Sequence, residues 1–84
     1  MINKTKPLQF QYEKFGKAFK KYRVIDKNAS MKEVEEATGL GRATISRIES
    51  GKNGDIDSIL NMCDWMNVSI NSFVKRRKNV KARN

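Results

Sequence analysis

The chain has 84 residues, one cysteine and no histidine, and its 18 Lys/Arg outweigh 9 Asp/Glu to leave a net charge of +9. That length supports one domain around a small core, and the inventory excludes an internal disulfide, the usual zinc ligand sets and Cys-His or Ser-His catalytic pairs within one chain. No run of ~18 apolar residues and no apolar N-terminal signal core is present, so the expectation is a soluble cytoplasmic or nucleoid-associated protein, with no enzyme activity, no cofactor, no metal, no small-molecule ligand and no membrane partner.

Residues 1–9, MINKTKPLQ, hold two lysines and the only proline with little apolar content. They read as a flexible basic arm, either a frayed terminus or a segment that neutralises phosphate. From Gln11 to Ile25 the residues Tyr12, Phe15, Ala18 with Phe19, Tyr22 and Ile25 recur at steps of three and four. That spacing predicts one amphipathic helix, weakened by up to ~1 kcal/mol at Gly16 relative to alanine. Lys14, Lys17, Lys20 and Lys21 line its polar side, and Asp26 to Ala29 is a turn.

Ser30 followed three residues later by Glu33 is a capping-box pair, so a second helix is expected to start at Met31. Val34 and Ala37 form its inward face, and Gly39 can take the left-handed conformation that ends a helix. The helical pattern resumes at Arg42. With Arg42 at 0° and ~100° per residue, Thr44, Ile45 and Ile48 share an inward arc. Arg42, Ala43, Ser46, Arg47 and Ser50 share the opposite arc, a low-relief face of short side chains flanked by two guanidinium groups. A helix with such a face fits a DNA major groove about 12 Å wide. Taken alone, the same pattern also describes a solvated surface helix.

Gly51-Lys52-Asn53-Gly54 breaks the chain, and Asp55 caps a fourth helix through Met66 with Ile56, Ile59, Leu60, Cys63 and Met66 as its inner stripe. Cys63 reads as a small buried apolar residue suited to a reducing compartment. Met62 and Trp65 fall off the stripe, Trp65 at the core edge or in self-association. Ser69 caps a fifth helix, whose Ile70, Phe73 and Val74 fold back on the core. Residues 75–84, KRRKNVKARN, form a basic tail with too few apolar residues to pack. Charge is uneven along the chain: eight Lys/Arg and two acids in residues 1–30, four and seven in residues 31–74, six and none in residues 75–84. The basic character sits at the ends.

Two helical patterns joined by one glycine-bearing turn, followed by Arg42-Ala43-Thr44-Ile45-Ser46-Arg47-Ile48-Glu49-Ser50-Gly51-Lys52, resemble the lambda-repressor-like, Cro/repressor-type helix-turn-helix domain. Thr38-Gly39-Leu40, Leu60, Met66-Asn67-Val68-Ser69-Ile70 and Phe73 extend the resemblance, which spans about Phe15 to Val74, roughly 60 residues. It implies an all-α fold, a compact five-helix bundle over residues 10–74 between the arm and the tail. It also implies base reading by Arg42, Ala43, Thr44 and Arg47, phosphate contacts near Met31 and around Ser46, Ser50 and Lys52, and a scaffold ion pair between Arg23 and Glu49. The segment around the fourth and fifth helices commonly carries the dimer contact in this family, which makes Trp65, Asn67 and Phe73 dimer candidates.

The chain departs from the family's pattern twice. Gly41 stands where the cap of the third helix is usually Ser or Thr, and Glu35 stands where a tightly packed alanine is usual. Glu35 must turn outward or find a cationic partner, because burying an unpaired carboxylate is costly. The function implied is a sequence-specific regulator of transcription, a phage or mobile-element type repressor bound as a homodimer to a pseudo-palindromic operator in double-stranded DNA. A restriction-modification controller, an antitoxin, a nonspecific architectural binder and a protein-interaction module remain as alternatives.

Overall fold

The computed structural model describes residues 7–76. Among these, four α-helices and one two-stranded ladder follow the order β1 (Leu8–Phe10), α1 (Tyr12–Lys21), α2 (Met31–Thr38), α3 (Arg42–Glu49), α4 (Ile56–Met66) and β2 (Val74–Arg76). α1 runs on into a π-helical turn at Tyr22–Asp26, and a single 3-10 turn at Ile70–Phe73 stands in place of the expected fifth helix. Ser69 does cap that turn, its Oγ accepting from the Asn71 amide at 3.2 Å. The segment is too short to go further before the chain straightens into β2.

The ladder is the element absent from the sequence reading. β1 and β2 pair antiparallel with Leu8 opposite Arg76, Gln9 opposite Lys75 and Phe10 opposite Val74. The Gln11 amide then donates to the Phe73 carbonyl at 2.7 Å, which continues the pairing into the start of α1. Phe10 brings its ring to 5.3 Å from Phe15 and 6.3 Å from Phe73, so the ladder is anchored to the core by aromatic contacts. Leu8 and Gln9, expected in the arm, and Lys75 and Arg76, expected in the tail, therefore belong to the folded unit. Residues 1–6 and 77–84, the remainder of the arm and tail, lie outside the described residues.

The core joins Phe15 and Phe19 of α1, Val34 of α2, Ile45 and Ile48 of α3, Ile59, Met62, Cys63 and Met66 of α4, and Phe73. Each of the phenylalanine, valine, isoleucine and methionine side chains among them stabilises the fold by about 1.5–3 kcal/mol on burial. Gly16 is buried at the crossing of α1 and α3, and a Cβ there would collide with the Ile48 carbonyl oxygen and stand 2.9 Å from that of Glu49. Gly16 thus lets two helix backbones approach closely, where the sequence alone marked it as a weak point. Burial pushes the Cys63 thiol up from its ordinary pKa.

Three helix phases differ from expectation. The π-helical turn, closed by the Lys27 amide on the Tyr22 carbonyl at 2.9 Å, holds one more residue than an α-turn. It rotates Ile25 outward, to 69 % exposure, and Val24 with it. In α2 the inward neighbour of Val34 is Thr38, whose hydroxyl donates to the Val34 carbonyl at 2.7 Å, and Ala37 is exposed. In α4 the buried stripe is Ile59, Met62, Cys63 and Met66, while Ile56 and Leu60 face outward.

Candidate nucleic-acid interface

The local chemistry of α2 and α3 fixes their relative placement. Ser30 Oγ accepts from the Glu33 amide at 3.1 Å and Glu33 Oε1 accepts from the Ser30 amide at 2.7 Å, a complete capping box at the start of α2. Gly39, at φ 75°, takes the left-handed conformation that closes α2, with its amide on the Glu35 carbonyl at 2.8 Å. Gly41 then caps α3 in extended conformation without a side-chain hydrogen bond. The end of α3 closes by paired bonds, Gly51 amide to Ile48 carbonyl at 2.9 Å and Lys52 amide to Arg47 carbonyl at 3.1 Å, with Gly51 at φ 88°. This is the Schellman arrangement, and it sends the chain away from the outer side of α3.

Ile45 and Ile48 are fully buried, so the orientation of α3 is set by its core side. Arg42, Ala43, Ser46, Arg47 and Ser50 are all exposed on the opposite side, and Lys52 lies just past the helix end, also exposed. Ser50 Oγ is turned back onto the Ser46 carbonyl at 3.0 Å, which keeps that part of the face low. Thr44 is half-buried at the margin, neither fully inward nor fully presented. Eight residues give α3 a length of about 12 Å at 1.5 Å per residue, enough to lie along a groove floor.

Beneath this face Arg23 and Glu49 form a two-point ion pair. Arg23 Nε donates to Glu49 Oε2 at 2.7 Å and Nη2 donates to Oε1 at 3.0 Å, while Nη1 reaches the Ala29 carbonyl at 3.4 Å. The side chains are only 14 % and 7 % exposed. The hydrogen bond to Glu49 is the main cause of an Arg23 pKa raised above its already high ordinary value. This pair ties the end of α1 to the end of α3 and presents nothing outward.

Of the residues expected at phosphates, Met31 packs its side chain against the core, leaving its amide at the first turn of α2 as the relevant group. The capping box already occupies the amides of Ser30 and Glu33. Of the three dimer candidates, Phe73 is turned inward at 7 % exposure, with its ring 5.0 Å from Phe15, and so offers almost no surface to a second copy. Trp65 is half-buried against Phe19 and Tyr22, at 5.4 and 5.2 Å between rings. Asn67 is exposed and takes φ 59° to end α4.

One further ion pair spans the turn. Glu35 Oε2 accepts from Arg42 Nε at 2.8 Å, linking α2 to the first residue of α3 across the turn. Glu35 thereby obtains the cationic partner that its position requires. Among the described residues there is no cluster of three or more His, Cys, Asp or Glu able to hold a metal, and no helix long and apolar enough to cross a membrane.

Two short helices set by a glycine turn, the second anchored by an isoleucine pair and open on its other side, define a helix-turn-helix. The family model described as Helix-turn-helix matches residues 19–72, and the chain belongs to that Cro/C1-type family. No curated protein matches the chain significantly. Among solved structures, the restriction-modification controller protein C.AhdI from Aeromonas hydrophila is similar at 23% identity and a TM-score of 0.60, over 71% of this chain and 91% of that one. The clp gene regulator ClgR from Corynebacterium glutamicum is similar at 24% identity and a TM-score of 0.61, over 79% of this chain and 70% of that one. These likenesses show the shared fold, and family membership supports a DNA-binding transcriptional regulator.

Proposed function

We propose that the protein is a sequence-specific, double-stranded DNA-binding repressor of the phage or mobile-element kind, acting as a homodimer on a pseudo-palindromic operator. One observation carries the reading: the exposed, low face of Arg42, Ala43, Ser46, Arg47 and Ser50 standing over the buried Ile45 and Ile48. With α3 in the major groove, Arg42 and Arg47 reach guanine O6 and N7, and Ala43 with the margin residue Thr44 offers methyl contact to thymine. Ser46, Ser50 and Lys52 lie where the groove wall supplies phosphates. The Met31 amide does the same at the start of α2, where the partial positive charge of the helix end attracts an anion, although the Glu33 carboxylate opposes it.

In this reading the second copy packs against the outer side of α4 and its C-terminal end. Ile56 and Leu60 lie one turn apart there and are 59 % and 46 % exposed, with Asn67 following on the same side and Trp65 across the helix. Two α3 helices so joined meet successive major grooves about 34 Å apart. The basic ends add sequence-independent attraction to the backbone, and a DNA ligand implies the cytoplasm or nucleoid.

Arg47→Ala tests the reading. It is expected to cost about 1–3 kcal/mol on a selected operator and little on random DNA. Equal losses on both duplexes would show that Arg47 contributes charge alone.

A further inference from the structure

We propose that Glu35 is a specificity-determining positioning residue, one that holds the Arg42 guanidinium for end-on recognition of a single guanine while discouraging nonspecific contact. The inference rests on the functional reading above and extends it to a residue that itself touches no base.

The geometry of the pair supports this role. Glu35 is the more sunken member, its side chain 29 % exposed, and Arg42 is 65 % exposed, so the carboxylate is the fixed end and the guanidinium the outward one. The bond is made through Nε, at the root of the guanidinium, at 2.8 Å. Among the described residues, the side-chain bond that Arg42 makes is this one through Nε. A guanidinium offers five N–H donors in a rigid fork. When Nε is taken, the donors left for a ligand are those of Nη1 and Nη2, the pair that matches O6 and N7 of guanine end-on. Holding one donor also removes rotamer freedom before DNA arrives, which lowers the ordering cost of the bidentate contact.

Stability does not account for the arrangement. An exposed ion pair adds little to a fold, and a carboxylate beside a DNA-facing helix repels phosphates. That repulsion acts on every sequence alike, whereas the gain from a held fork appears only opposite the right base. The two effects together raise the ratio of specific to nonspecific binding.

The test is selection from a random duplex pool with full-length wild type, Arg42→Ala, Glu35→Ala and Glu35→Gln, alongside binding to random-sequence DNA and thermal unfolding of each. Glu35→Gln guards against a folding defect, since it keeps the size of the side chain and one acceptor. The expected result is that Arg42→Ala and Glu35→Ala relax the guanine preference at the same single position, by about fivefold or more. Glu35→Ala also binds random DNA more tightly than wild type, while Glu35→Gln keeps part of the preference. A residue that merely supported the fold would weaken both kinds of binding. If Arg42→Ala relaxes a position and neither Glu35 variant does, or if Arg42→Ala relaxes none, the inference is overturned while sequence-specific binding stands. If wild type selects no common motif, the functional reading fails and the inference goes with it.

Discussion

Arg23 and Glu49, 26 residues apart, form a partly buried pair that is screened from water more than a surface pair is. Removing one member strands a charge away from water, whereas replacing both by apolar side chains of similar volume leaves none. Glu49→Ala is therefore expected to cost about 3–5 kcal/mol in urea denaturation. The double variant Arg23→Met/Glu49→Leu should lose markedly less, and a double loss equal to the sum of the two single losses would contradict a coupled pair. At this scale the sequence was partly legible. The Arg23–Glu49 pairing came from resemblance, because periodicity within one helix says nothing about partners on another. The position of Glu35 in the sequence calls for a cation without specifying Arg42. A helical wheel gives angles around a single axis and does not cross the turn at Gly39 and Gly41.

At the scale of elements, α2 and α3 were legible because their punctuation is chemical: the Ser30/Glu33 box and the left-handed Gly39 bound α2, and the Ile45/Ile48 pair sets the face of α3. α4 was legible in extent and not in rotation. Its sequence, IDSILNMCDWM, holds more apolar residues than one face can bury, so both stripes satisfy the same period. Packing chose the one containing Met62. The ladder escaped because β1 and β2 have three residues each and lie at opposite ends of the described chain, with no local signal of their pairing. Gly16 inverts an expectation in a measurable way. Helix propensity alone predicts that Gly16→Ala stabilises by up to ~1 kcal/mol. Contact with the carbonyls of Ile48 and Glu49 predicts instead a loss of about 1–3 kcal/mol, as overpacking forces α1 and α3 apart. Thermal or urea unfolding of that variant separates the two by sign.

For the whole molecule, the division of labour follows from where charge and apolar surface lie. The core and the Arg23–Glu49 pair hold α3 against α1, the turn sets α3 relative to α2, and the outer side of α3 is left exposed. The lysines of α1, Lys14, Lys17, Lys20 and Lys21, form a second exposed basic surface on another element, and a nonspecific binder would use it at least as readily. The two surfaces can be told apart by amide chemical-shift mapping during titration of the full-length protein with a duplex recovered by selection. Groove binding by α3 predicts the largest changes from Gly41 to Ser50 and at Met31 and Lys32 at the start of α2. Changes confined to α1, with α3 unmoved, would contradict it.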